Sequence, residues 1–167
     1  MKGMYLRTLA GLAALCSLGV ALPAIALPDI YPAPEQAQAD LTAALKEAAA
    51  QHRRVIVDFG GNWCTDCHVL DTYMHDSTNQ PLIDANFLLV HVNVGRVDQN
   101  LDIAERYGIP LKNGVPAIAV LSPRGKLLHS QTGGEFKDMR HMDSSSLTEF
   151  LQRWKLGAHR PALRAPG

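Results

Sequence analysis

Four short apolar segments are candidate β-strands, because they are rich in β-branched and aliphatic residues and are bounded by turn-forming residues. They are Val55–Phe59, Phe87–Val94, Val115–Leu121 and Lys126–Ser130. The last two flank the sequence SPRG, which is typical of a tight turn. This turn predicts an antiparallel hairpin.

Five other segments favour helix, the first through its alanine content and the others through helical spacing or a capping pattern. They are Gln36–Arg53, His68–Met74, Asn79–Ala85, Asn100–Tyr107 and a last helix that ends before Gly157. Ser146 and Glu149 form the S-x-x-E pattern of a capping box, which predicts the start of the last helix. Strands separated by helices predict parallel crossovers, so we expect an α/β fold with a mixed central sheet, helices on both faces and an antiparallel edge.

The two ends of the chain depart from this pattern. The N-terminus has a positive start, an apolar stretch without acids and an A-x-A site, which together are typical of a cleaved secretory signal peptide. We expect a signal peptide at 1–26, an N-terminal extension and helix at 27–52, a folded domain at 53–157 and a flexible tail at 158–167. Export by this signal predicts a periplasmic protein.

Composition narrows the class of protein. Apolar residues make up 47% and charged residues 19%, which is usual for a globular domain. The formal net charge is zero and no basic run is present, so we expect no nucleic-acid partner. No segment suggests dimerisation, so we expect a monomer.

Removal of the signal peptide, which contains Cys16, would leave Cys64 and Cys67 as the cysteines of the mature chain. A bridge between them closes a tiny loop and constrains the unfolded chain little, so the pair predicts chemistry rather than stabilisation. The pair follows a buried strand and opens a helix, where the helix dipole favours a thiolate. Cys64 is therefore expected to be the acidic, accessible thiol and Cys67 the protected one.

Two other chemistries use the same cysteines. With His68 the pair reads C-x-x-C-H, the attachment signature of a c-type haem. Candidate distal ligands for that haem are Met139, His141 and Met142. The β-rich segments on both sides argue against a haem protein of this class, which is mostly helical. A copper carrier that uses both cysteines and a histidine is the other alternative.

Four further features resemble the thioredoxin fold family. Asp58 lies six residues before the first cysteine, where thioredoxins keep a buried acid, and Trp63 completes the pattern W-C-x-x-C. Ala104–Ile109 resembles the family's helix end A-x-x-Y-G-I, and Gly114–Ala117 resembles its loop with a cis proline that faces the cysteines. Over residues 53–156 the chain is most similar to periplasmic thioredoxin-like domains that handle electrons from the membrane disulfide reductase.

The resemblance implies a thiol–disulfide oxidoreductase without a cofactor. Its partners would be protein disulfides and a membrane electron donor such as a disulfide reductase. The residues implied are Cys64, Cys67 and Asp58 for catalysis, and Trp63, Val115 and Pro116 for substrate binding. Burial in an apolar strand would disfavour the charged form of Asp58. The sequence identifies no cationic partner for it, so its removal is expected to stabilise the protein.

The sequence also departs from the family. Thr65 and Asp66 replace Gly-Pro between the cysteines, His91 stands where thioredoxins often have a lysine near the buried acid, and a longer segment at 134–144 precedes the last helix. The absence of Pro and His between the cysteines argues against a strong oxidant, and Asp58 favours a reductase. The absence of a dimerisation segment argues against an isomerase.

Overall fold

A computed structural model describes residues 28–157, in which nine α-helices and β-strands, besides three short 3-10 helices, follow a lead-in segment at 28–36. Their bounds are α1 (Ala37–Gln51), β1 (Arg54–Gly60), α2 (Thr65–Met74), α3 (Asn79–Asn86), β2 (Phe87–Asn93), α4 (Leu101–Arg106), β3 (Ala117–Leu121), β4 (Leu127–Ser130) and α5 (Ser144–Trp154). All nine were predicted, although α2 begins three residues earlier than expected. The predicted signal peptide and C-terminal tail lie outside the described residues.

The strands form one mixed sheet in the order β2-β1-β3-β4. β1 and β2 are parallel, whereas β3 and β4 form the predicted antiparallel hairpin. In the span from 28 to 157, no helix is both long enough and apolar enough to cross a membrane.

The direction of β3 corrects the prediction that every helical connection makes a parallel crossover. β3 is antiparallel to β1, with Ala117 opposite Phe59. The helix in this connection, α4, has six residues and rises about 9 Å, whereas a seven-residue strand such as β2 spans about 23 Å. Because α4 is too short to carry the chain back along the sheet, β3 enters at the end where β1 stops. The loop before β3 therefore lies beside the cysteine loop.

Side chains of β1 alternate between two cores. Val55, Val57 and Phe59 pack with residues of α1 and α4, whereas Ile56 packs with residues of α2, α3 and α5. Helices therefore cover both faces of the sheet, as the alternation of apolar strands and helices predicted.

The last helix begins earlier than the capping-box prediction. α5 starts at Ser144, with Asp143 as the preceding residue and no side-chain capping bond. The Thr148 hydroxyl donates to the Ser144 carbonyl at 3.3 Å and to Oδ1 of Asn79 in α3 at 2.7 Å. Ser146 therefore lies within the first turn of α5 and not at its N-cap, so the predicted capping box does not form.

Candidate active site

The two cysteines lie where β1 gives way to α2. Cys64 is the residue immediately before the first turn of α2, and it is joined to Cys67 by a disulfide bond. The backbone N–H of Cys67 donates to Cys64 Sγ at 3.2 Å. A free helix N–H and the positive end of the helix dipole both stabilise a thiolate at this position after reduction. The predicted placement of Cys64 at a helix N-terminus is confirmed.

Cys64 is more enclosed than expected. Cys67 is fully buried, as predicted, but Cys64 is only 5% exposed although it was expected to be accessible. Cys64 opens onto a groove of about 470 Å³, which is large enough for a polypeptide segment. The groove is lined by residues that include Trp63, Val97, Leu111, Val115, Lys137 and Arg140. Access to Cys64 is therefore through this groove rather than from open solvent.

One wall of the groove is the loop before β3. The Val115–Pro116 peptide bond is cis, as the resemblance implied. The carbonyl oxygen of Val115 lies 3.7 Å from Cys64 Sγ. This contact follows from the antiparallel entry of β3, and it places a backbone acceptor next to the outer sulfur.

Trp63 forms the rim of the groove and is not a core residue. It is 43% exposed, and its indole N–H donates to the carbonyl of Gly95. The Arg96 guanidinium lies over the ring, 5.2 Å from its centroid. These contacts fix the orientation of an aromatic surface beside Cys64.

Asp58 is buried in β1 and has two partners. It is 1% exposed, and its Oδ2 accepts from the Tyr31 hydroxyl at 2.5 Å and contacts Nδ1 of His91 at 3.0 Å. His91, which the resemblance placed near the buried acid, is thus one of its partners. Burial alone would lower the pKa of His91, but the hydrogen bond and charge of Asp58, with the charge of Asp71, raise it above 6.5.

Tyr31 is a site residue that the sequence did not reveal. It comes from the lead-in segment, where the sequence predicted only an N-terminal extension. Tyr31 is nevertheless 2% exposed, and its ring packs edge-on against His91. Burial, followed by the charge and hydrogen bond of Asp58, raises the pKa of Tyr31 well above 10.0. Its contact with Asp58 spans 27 positions, and no local pattern signals a contact of that kind.

The longer segment before α5 is anchored on the C-x-x-C motif. Oδ1 of Asp66, between the cysteines, accepts the backbone N–H of Arg140 at 3.0 Å, and the two carboxylate oxygens accept its Nε–H at 3.1 and 3.2 Å. Phe136 and Met139 are buried in the core beneath. The segment therefore forms the second wall of the groove, a role that the sequence did not indicate.

Both histidines nominated for haem ligation have other partners. Nε2 of His68 lies 2.9 Å from the Asn62 carbonyl oxygen, and Nδ1 of His141 lies 2.7 Å from an oxygen of Asp138. Met139 is fully buried in the core. Within residues 28–157, no group of three or more His, Cys, Asp or Glu side chains is arranged to hold a metal ion. The geometry thus favours the dithiol over the haem and copper alternatives.

Comparisons with known proteins agree with this geometry. A family model described as thioredoxin-like matches residues 36–123. The disulphide isomerase of Xylella fastidiosa Temecula1 has a similar structure, with a TM-score of 0.73 and 33% identity over 77% of this chain and 98% of that one. The C-terminal domain of Neisseria meningitidis DsbD, at 20% identity and a TM-score of 0.51 over 70% of this chain and 95% of that one, shares the fold.

A curated relative is also similar. The thiol:disulfide interchange protein DsbD of Pseudomonas fluorescens is 26% identical over 118 residues, which are 70% of this chain. The chain spans only 18% of that relative's length. From the family match and the Cys64–Cys67 disulfide, the chain belongs to the thioredoxin-like family and is a disulfide oxidoreductase.

Proposed function

We propose that this protein reduces disulfides of other proteins in the periplasm, with Cys64 as nucleophile and Cys67 as resolving thiol. The arrangement of the two sulfurs carries the proposal. Cys64 lies at a helix N-terminus and opens onto a groove, whereas Cys67 is sealed behind it. One thiol can meet a large substrate, and the other can react only with its neighbour.

The first step joins the substrate to Cys64. The Cys64 thiolate attacks one sulfur of the substrate disulfide, and a new S–S bond forms as the substrate bond breaks. The departing sulfur leaves as a thiolate and takes a proton from solvent. The helix dipole and the N–H of Cys67 favour this step by stabilising the attacking thiolate.

The second step releases the substrate. Cys67 gives up its proton and attacks Cys64 Sγ, so that the Cys64–Cys67 bond forms and the second substrate sulfur leaves as a thiolate. Two electrons pass from the dithiol to the substrate. Asp58 is the proposed proton acceptor, because it is a buried carboxyl whose Oδ1 has no hydrogen bond among the described residues.

The groove supports binding of an extended polypeptide. The Val115 carbonyl beside Cys64 Sγ can accept a hydrogen bond from a substrate backbone N–H, as in the addition of a strand. The ring of Pro116 fixes its own backbone dihedral φ, and Pro116 has no backbone N–H to donate. The exposed indole of Trp63 provides an apolar rim for a substrate side chain.

The location and the electron donor rest on the sequence and the relatives. The signal-like pattern at 1–26 supports export to the periplasm. Similarity to DsbD proteins supports a membrane disulfide reductase as the source of electrons. A monomer is proposed on the sequence alone, in which no segment suggests dimerisation.

Disulfide isomerisation is a second candidate. The specific observation is the 33% identity to a protein described as a disulphide isomerase, of which 98% is covered. An isomerase needs the same attack by Cys64, but the substrate must leave before Cys67 closes the disulfide.

A reduction potential and two activity assays separate these functions. A reductase should have a potential near the value of about −270 mV found for thioredoxin, whereas an isomerase should lie near about −180 mV. A reductase should reduce insulin faster than it unscrambles mispaired ribonuclease, and the reverse would favour the isomerase. Cys64→Ser should abolish both activities, while its matched control Cys67→Ser should accumulate mixed disulfides. Stoichiometric copper in the purified reduced protein, or covalent haem after export, would contradict both candidates.

A further inference from the structure

The hydroxyl of Tyr31 is bonded to the buried acid and lies near the resolving cysteine. It donates to Asp58 Oδ2 at 2.5 Å. A Cβ placed on Gly60 would stand 2.7 Å from Cys67 Sγ and closer still to the Tyr31 hydroxyl. Both atoms therefore border the small space that Gly60 leaves by having no side chain.

Three asparagines hold Tyr31 in this place. Asn62 accepts from the N–H groups of Ile30 and Tyr31 at 3.0 and 2.8 Å and donates to the Tyr31 carbonyl at 2.9 Å. Asn93 and Asn100 donate to the carbonyls of the prolines at 32 and 34, at 2.8 and 2.9 Å. The lead-in segment is thus fixed by side chains next to the site, and the position of the hydroxyl is built into the fold.

We propose that Tyr31 relays the proton between Cys67 and Asp58. In the mixed disulfide, the Cys67 thiol passes its proton to the Tyr31 oxygen as the Tyr31 hydroxyl passes its own to Asp58 Oδ2. The electron pair left on Cys67 forms the bond to Cys64 Sγ, and the substrate sulfur leaves as a thiolate. The relay rests on the proposed resolving role of Cys67, and it runs in reverse when the disulfide is reopened.

The surroundings of Tyr31 suit a relay rather than a terminal base. Burial and Asp58 raise the pKa of its hydroxyl, so tyrosinate does not accumulate and Tyr31 is neutral before and after the transfer. The charged or titratable groups that face it are Asp58, His91 and the more distant Asp71. Nε2 of His91 lies 3.9 Å from Oδ1 of Asp71, which is 21% exposed, so a charged group near the surface faces the other side of the His91 ring.

The test separates the two steps in one measurement. Reduced protein is mixed rapidly with excess 5,5′-dithiobis(2-nitrobenzoate). Attack by Cys64 releases one chromophore at a rate that depends on reagent concentration, and resolution by Cys67 releases a second at a rate that does not. We expect Tyr31→Phe to leave the first rate within about twofold and to slow the second about 100-fold, which is the lower end of a positioned proton transfer.

A matched control removes a tyrosine hydroxyl elsewhere. The Tyr73 hydroxyl donates to the carbonyl of Met142 at 3.0 Å, in the last turn of α2 and six residues beyond Cys67. Tyr73→Phe should change neither rate. Equal slowing in both variants, or a second rate in Tyr31→Phe within threefold of wild type, would overturn the relay.

The pH profile gives a readout that a structural role would not alter. In the wild type, the second rate should depend little on hydroxide concentration, because the relay moves the proton within the protein. In Tyr31→Phe the second rate should rise about tenfold per pH unit, because solvent must then take the proton from the Cys67 thiol. Profiles of the same shape would contradict the relay.

The wild-type protein provides a test that does not depend on a folded variant. In mixtures of light and heavy water, a step that moves two protons gives a bowed plot of rate against deuterium fraction, whereas a single transfer gives a straight line. A bowed plot for the second release supports the relay, and a straight one refutes it. If the wild type releases only the first chromophore, the resolving role of Cys67 fails and the relay fails with it.

Discussion

Asn62 connects the lead-in segment to the cysteine loop, and its removal should weaken both. Asn62→Ala deletes the three hydrogen bonds to Ile30 and Tyr31. A typical intramolecular hydrogen bond contributes about 1 kcal/mol net, so we expect the free energy of unfolding to fall by about 2–3 kcal/mol. Asn62→Asp retains the two acceptor contacts and loses the donor, so it should cost about 1 kcal/mol.

Urea denaturation of the oxidised protein measures these losses, and hydrogen exchange locates them. The N–H groups of Ile30 and Tyr31 should exchange faster in Asn62→Ala than in wild type, because their acceptor is gone. Asn113→Ala is the control, since Asn113 makes a single exposed bond to the Thr132 carbonyl. It should cost about 1 kcal/mol or less and leave exchange at the lead-in unchanged. A loss below about 1 kcal/mol in Asn62→Ala, with unchanged exchange at Ile30 and Tyr31, would refute the reasoning.

Two further predictions concern the buried acid. Asp58→Ala should destabilise the protein by about 1–3 kcal/mol, because it leaves the buried Tyr31 hydroxyl unpaired; a variant as stable as wild type in urea would show that burial of the carboxyl outweighs its bonds. The raised pKa of His91 stabilises the fold fully below the unfolded value of about 6.5, and this contribution is lost as pH rises through the folded value. The urea midpoint of oxidised wild type should therefore fall between pH 6 and pH 9 by more than that of His91→Gln, and parallel profiles would contradict the assignment.

The features that the sequence predicted are mostly local. The strand and helix segments, and the position of Cys64 at a helix N-terminus, follow from periodicity and composition within short windows. The cis bond before Pro116 and the nearness of His91 to Asp58 came from resemblance to the thioredoxin fold, and both are present. Members of a family share such contacts because they share the backbone that brings the residues together, so resemblance can predict them.

The features that the sequence missed join distant segments. Tyr31 meets Asp58 across 27 positions, and Asp66 meets Arg140 across 74. The direction of β3 depended on whether α4 is long enough to carry the chain back along β2. That comparison can be made only when the order of the strands in the sheet is known. The sequence predicted a stability gain on removal of Asp58 for the same reason, because both partners of the carboxyl come from outside β1; with those partners we expect a loss instead.

The attachment of the lead-in segment has a thermodynamic consequence for the redox couple. Tyr31 and Cys67 border the same space, so any difference in the docking of residues 30–34 between the oxidised and reduced protein would link docking to the state of the disulfide. Linkage is reciprocal: if reduction tightens docking by some factor, docking favours reduction by the same factor. For a two-electron couple, a tenfold difference corresponds to about 30 mV. A partner that held or released this segment would thereby tune the reduction potential without touching either sulfur.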